Sequence, residues 1–351
     1  MSIANKLHDI YVKFSSSMIL ALSVLLALFF YINLDMQFGF WSIVTIASIA
    51  SHNHSHILQK SILRLLGSIV GVIISILFII SNSNLLNLLV VFLVLFYSVY
   101  NFYTYKNYSY FFRILMVTVT IMFYEVQSNS NIEGYQFLVI RGFEVTLGIF
   151  ITFIFLILEQ IIYFLIFGKK NEIISELKLL LTFDDKNKNS YVSKKVRLEE
   201  SILIASVSVL TTMASQFYEI PNGYWISLVL IMMVIENLDV NYIKQVKARV
   251  IGHIFALILA IGATFLLKYY FYLVYPLTFL VFLCMGLLIN YKKEWGSIAI
   301  TCGAAYSLMT LSSFNASYEI IFWRSLNTFI GMIISIIIME IIYKKFYKGL
   351  N

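Results

Sequence analysis

Arg141 and Arg324 each stand several residues inside a long apolar run. A guanidinium there costs on the order of 2.5–3.5 kcal/mol on insertion scales, so an ionisable residue at such a place marks a functional position. The guanidinium is a planar fork matched to carboxylate, and the chemistry to expect is the binding of an anion. Glu144 follows Arg141 by three residues on the same helix face, so Arg141 is either an anion ligand or half of a local ion pair. The corresponding residue after Arg324 is Asn327, which carries no charge. Arg324 is therefore the sharper candidate. Glu159 and Glu340 lie late in the same two runs and are candidate proton relays, although Glu340 also stands four residues before Lys344, the spacing of a surface ion pair. Trp41 and Trp225 are candidate contacts for an aromatic substrate.

Other chemistries fail on inspection of the residues. In the run His52-Asn53-His54-Ser55-His56 only the outer two histidines share a helix face, and the later loop at the matching place holds Glu236 and Asp239 instead. No metal site is expected. Five histidines in the whole chain are too few for a membrane di-iron oxygenase. A Gly-x-x-x-x-Gly-Lys-Ser/Thr phosphate loop is absent from the sequence, so the chain is not its own ATP motor. Cys284 and Cys302 sit in apolar segments and read as small core residues. With no nucleophile–base pairing either, neither an enzyme nor a cofactor is expected.

The elements that must hold these residues follow from composition. Of 351 residues, 60% are apolar and 12% charged, against about 45–50% and about 25% in a soluble domain. An all-α polytopic membrane protein results. Apolar runs fall at 17–33, 38–51, 62–80, 85–100, 111–124 and 135–167, then at 201–218, 222–236, 249–267, 271–290, 297–313 and 319–343. The first reads as an uncleaved span, since Lys6 and Lys13 precede it but no small-residue cleavage site follows. Runs 38–51 and 222–236 are short enough for re-entrant segments. With twelve crossings and a cytoplasmic amino terminus, all but Arg141, Lys268 and Arg324 of the 25 Lys and Arg face the cytoplasm, the pattern that orients such chains. The net charge of +7 thus implies membrane orientation, not nucleic acid.

The two sets of runs repeat one another. Gly39-Phe40-Trp41 is answered by Gly223-Tyr224-Trp225, Arg64-x-x-Gly67 by Arg249-x-x-Gly252, and Arg141 with Gly148 by Arg324 with Gly331, at shifts of 183 to 185 residues. Residues 1–167 and 201–351 read as two parallel six-helix repeats, joined by a charged cytoplasmic linker at 168–200 whose stretch 171–183 has the spacing of a surface helix. Parallel repeats are expected to be related by an axis along the membrane normal, with a substrate path between them. Gly67, Gly71, Gly148, Gly252 and Gly331 are candidate close-packing positions. Arg64 and Arg249 read as arginines that snorkel to lipid headgroups.

These landmarks, a Gly-aromatic-Trp opening the second helix, Arg-x-x-Gly opening the third, and Arg-x-x-(acid or amide)-x-x-x-Gly closing a six-helix unit, resemble the fusaric acid resistance (FUSC-like) family of aromatic-acid exporters. The resemblance covers most of the chain, and its weight lies in the duplicated order. It implies export of small organic, especially aromatic, carboxylate anions across a bacterial inner membrane beside a periplasmic adaptor protein, with a more distant likeness to plant aluminium-activated malate channels. Many relatives carry large cytoplasmic regions, whereas here only 168–200 separates the halves. A passive anion channel and a non-transporting envelope or assembly subunit stand as alternatives. Partners are the anion, the lipid bilayer and the adaptor; oligomeric state, a homo-oligomer included, is left open.

Overall fold

A computed structural model describes residues 3–51, 54–81, 83–128, 131–167, 194–236, 242–291, 293–312 and 318–342. Among these residues the regular elements are all helical. They are α1 (Ile3–Asn33), α2 (Phe40–Ile49), α3 (His54–Ser81), α4 (Asn84–Thr104), α5 (Ser109–Ser128), α6 (Asn131–Phe167), α7 (Lys194–Phe217), α8 (Tyr224–Glu236), α9 (Tyr242–Tyr269), α10 (Val274–Tyr291), α11 (Lys293–Tyr306) and α12 (Tyr318–Ile342). The stretch 171–183, His52 and Lys344 lie outside the described residues. An apolar solvent leaves every backbone group to be satisfied within the chain, which a helix does locally. The two prolines obey this: Pro221 precedes α8 and Pro276 is the third residue of α10, places where a missing N–H breaks no helical bond.

Nine described helices are long and apolar enough to cross a membrane, while α2, α8 and α11 are shorter apolar helices. At 1.5 Å per residue, the 10 residues of α2 rise about 15 Å, half of a hydrocarbon core of about 30 Å. The physical reason for the difference is burial. Nine of the ten α2 residues are buried, and none of residues 224–234 of α8 is exposed. Both are central helices sheathed by longer ones. The longer helices turn apolar stripes outward, such as Ile69, Ile73, Leu77 and Ile80 on α3 or Phe143, Phe150 and Ile157 on α6, as lipid-facing helices do.

The chain forms two compact units. Unit 1 comprises 1–62, 143–181 and 247–321, and unit 2 comprises 63–142, 182–246 and 322–351. Each draws on both sides of the charged stretch, and the boundaries fall inside α3, α6, α9 and α12. In unit 1, α2 lies among α1, α11 and the later part of α6, and α10 packs on α1 and α11. In unit 2, α8 lies among α5, α7 and α12, and α4 packs on α5 and α7. The core of unit 2 joins Phe78, Leu95, Met116, Phe123, Leu230, Ile231 and Ile338.

The glycines singled out in the sequence all sit at close helix contacts. A Cβ on Gly67 would lie 2.8 Å from the Phe111 carbonyl oxygen, and one on Gly71 would lie 2.8 Å from Thr118 Cβ, both on α5. Gly252 meets the Ile298 carbonyl oxygen at 2.6 Å, Gly148 that of Ser42 at 2.6 Å, and Gly331 that of Ile226 at 2.7 Å. Backbone on backbone leaves no room for a side chain. Arg64 departs from its snorkelling expectation: it is buried, and its Nη1 donates to the Tyr110 hydroxyl at 3.3 Å.

Gly71→Leu is expected to lose most of the folded protein, because overpacking of this contact costs about 1–3 kcal/mol or more. Ile69→Leu, on the outward face, should stay near the parent level. Size-exclusion profiles of detergent extracts compare the two, and equal recovery would refute the packing.

Candidate functional site

The turn into α8 is the scaffold. Glu219 and Asn222 adopt left-handed φ values of 49° and 54°, and the Ile220 N–H reaches back to the Ser215 carbonyl at 2.9 Å, a Schellman-type closure of α7. Gly223 then presses on Ser215, whose Cβ leaves no room for a side chain there. Any larger residue would push α8 off α7. The turn into α2 has the same build: Asp35 has φ 48°, the Met36 N–H reaches the Tyr31 carbonyl at 3.2 Å, and Gly39 abuts Tyr31.

Aromatic rings gather at the start of α8, in unit 2. Tyr224 is 5.0 Å from Tyr124 of α5 and 5.5 Å from Trp225, ring centre to centre. The Tyr124 hydroxyl donates to the Ile220 carbonyl at 3.1 Å, tying α5 to the turn. The Arg324 guanidinium, on α12, lies 5.6 Å over the Trp225 ring, a cation–π arrangement that stabilises a buried charge by about 2 kcal/mol when desolvated. Arg324, Arg141 of α6 and Glu125 of α5 all act electrostatically on Tyr224. The buried Tyr224 phenol thus lies within electrostatic reach of two arginines and one carboxylate.

Arg141 and Arg324 are both buried, and the fold sets both within electrostatic reach of Tyr224 although 183 residues separate them. Sequence reading alone does not find Glu125, Tyr124 or Tyr224. The signals exist: Glu125 is an acid at the end of an apolar run, and Tyr224 belongs to the Gly-Tyr-Trp landmark.

Glu144 and Asn327 have matching structural tasks. In unit 1 the Phe38 N–H donates to Glu144 Oε1 at 3.0 Å. In unit 2 Asn327 Nδ2 donates to the Pro221 carbonyl at 2.8 Å. An ionised carboxylate only accepts, while an amide also donates, so each side chain suits the backbone group its turn presents.

The remaining candidates have surroundings of their own. Trp41 is buried in unit 1 against Phe40, 5.2 Å between ring centres. Glu159, also in unit 1, is buried and accepts from Ser15 Oγ at 3.1 Å and Gln160 Nε2 at 2.9 Å. Beside it the Tyr11 phenol is raised above its ordinary range by burial first, then by the charges of Glu159 and Tyr163. Glu340 is exposed, so the two late carboxylates differ in surroundings.

A family model described as fusaric acid resistance protein-like matches residues 20–155 and 209–338. No curated protein and no solved structure matches the chain.

Asn327→Asp sets a carboxylate against the Pro221 carbonyl and is expected to lower stability by about 1–3 kcal/mol. Glu144→Gln keeps an oxygen for Phe38 and should cost less than ~1 kcal/mol. Thermal midpoints of the purified variants decide this, and a larger loss for Glu144→Gln than for Asn327→Asp would contradict it.

Proposed function

The chain belongs to the fusaric acid resistance protein-like family, and on that premise we propose that it is an inner-membrane secondary transporter exporting small organic carboxylates, aromatic acids among them. The observation that carries this reading is the Arg324 guanidinium over Trp225 in the ring cluster of Tyr124, Tyr224 and Trp225, with Arg141 within electrostatic reach of Tyr224. Arginine offers a bidentate fork to a carboxylate, and ring faces offer stacking to an aryl group. The start of α8 adds backbone N–H groups and the positive end of a helix dipole, which favour an anion.

The proposed frame is twelve crossings, arranged as six-helix repeats 1–167 and 201–351 joined by the cytoplasmic segment 168–200. Shared contacts support the repeat: Gly148 on α2 and Gly331 on α8, Gly67 on α5 and Gly252 on α11, and the paired left-handed turns at Asp35 and Glu219. Charge placement supports the orientation. In this frame the Arg324 cluster lies toward the periplasm, where an adaptor protein would receive the cargo, and Glu159 lies toward the cytoplasm as a proton acceptor.

Arg324→Gln is expected to abolish benzoate transport in proteoliposomes at equal reconstituted protein, with Arg324→Lys retaining a weakened activity because it keeps charge without the planar fork. Full transport by Arg324→Gln would remove Arg324 from the anion site, and no benzoate transport by the parent protein would shift the reading to a non-transporting subunit. Orientation has its own test, after Cys284 and Cys302 are replaced by Ala. Single cysteines at Ser83 and Gln127 should react with an impermeant thiol reagent added outside cells, and one at Asn107 should not. External labelling at Asn107 would break the twelve-crossing frame.

A further inference from the structure

In unit 1 the short helix α2 ends beside a small cavity that the anion reading does not use. Its last residue is Ile49, and Ala50 leaves the helical conformation at φ −52° and ψ 137°. The carbonyls of a helix's last turn have no intrahelical donors, and they form the negative end of its dipole. Positive charge is already drawn there: the Lys60 ammonium, from α3, donates to the Ala50 carbonyl at 3.3 Å. The cavity offers about 20 Å³ to the centres of water-sized occupants, room for one or two at roughly 10–15 Å³ each. Among its otherwise aliphatic walls, Ser16 and Ser23 come from α1, Ile49 and Ser51 from the end of α2, Thr152 from α6 and Asn290 from α10. All of these lie within unit 1.

Three side chains bring oxygen with capacity to spare. Ser23 is fully buried, and its Oγ has no hydrogen-bond partner among the described residues. Thr152 is buried too, and its Oγ1 gives its proton to the Gly148 carbonyl at 2.9 Å, which leaves lone pairs to accept. Asn290 commits Nδ2 to the carbonyls of Lys13 and Gly286, both at 3.0 Å, and to Ser17 Oγ at 3.2 Å, so its amide oxygen remains for a ligand. No charged side chain is among the described residues that line the cavity. We infer that the cavity binds a small monovalent cation such as sodium, held by hydroxyl, amide and carbonyl oxygens at the end of α2. The carbonyl end of a helix disfavours an anion, and a site without carboxylates is poorly suited to a divalent cation. Interrupted membrane helices present carbonyl ends to sodium by the same physics. The inference does not depend on the anion-binding reading.

The test uses the purified full-length protein in detergent at constant ionic strength, with sodium exchanged for choline, which is too large for the cavity. Sodium is expected to raise the thermal midpoint in a saturable way, by at least about 2 °C at saturation, and radiolabelled sodium should bind and be displaced by unlabelled sodium but not by choline. Ser23→Ala and Thr152→Val each remove one hydroxyl and should weaken sodium binding at least about tenfold, with midpoints in choline near that of the parent. Ser208→Ala removes a fully buried hydroxyl of unit 2 that likewise has no partner among the described residues, and it should keep the whole response. One midpoint in sodium and choline, with no displaceable labelled sodium on the parent, overturns the inference and leaves the cavity to water. Equal losses of the response in Ser23→Ala and Ser208→Ala overturn it as well, because the ion would then act elsewhere than in this cavity. If a cavity variant fails to fold, the labelled-sodium measurement on the parent decides.

Discussion

A guanidinium in an apolar interior must be answered, and the start of α8 is built to answer that of Arg324. Ring faces and a carboxylate supply the answer, because each offers negative potential without bringing in bulk water. This arrangement explains why the turn before α8 is so constrained. Left-handed residues at Glu219 and Asn222 and the seat of Gly223 on Ser215 hold Trp225 where the Arg324 guanidinium can lie over it. A turn that drifted would leave that charge over apolar side chains and forfeit about 2 kcal/mol of cation–π stabilisation.

The same economy of polar groups appears at Glu144 and Asn327. Their positions match in sequence, yet one accepts from a backbone N–H and the other donates to a backbone carbonyl. The Glu144 carboxylate fixes the entry to α2, and that task connects the charge pattern of α6 to the position of a buried helix.

Much of the helical layout was legible because a bilayer solvent imposes a simple rule: long apolar runs become helices. The glycine landmarks were legible too, since small residues at four-residue spacing have few other uses in lipid. The interior place of α2 and α8 was not legible from hydropathy. A helix buried in protein and a helix facing lipid are both apolar, and only packing against neighbours distinguishes them. Arg64 shows the converse: its place in the sequence suggested a headgroup contact, whereas the fold turns it inward to Tyr110.

By itself the sequence determined the membrane class, the helix order, the repeated landmarks and the two arginines worth attention, because hydropathy, charge placement and residue spacing act along the chain. Tertiary structure decided what meets what. Helices from both sides of 168–200 enter each compact unit, so Arg324 comes over Trp225 and Arg141 and Glu125 come within electrostatic reach of Tyr224. No periodicity encodes that meeting. Charge balance at a site is a sum over groups distant in the chain, and it exists only once packing has set the distances over which Coulomb forces act.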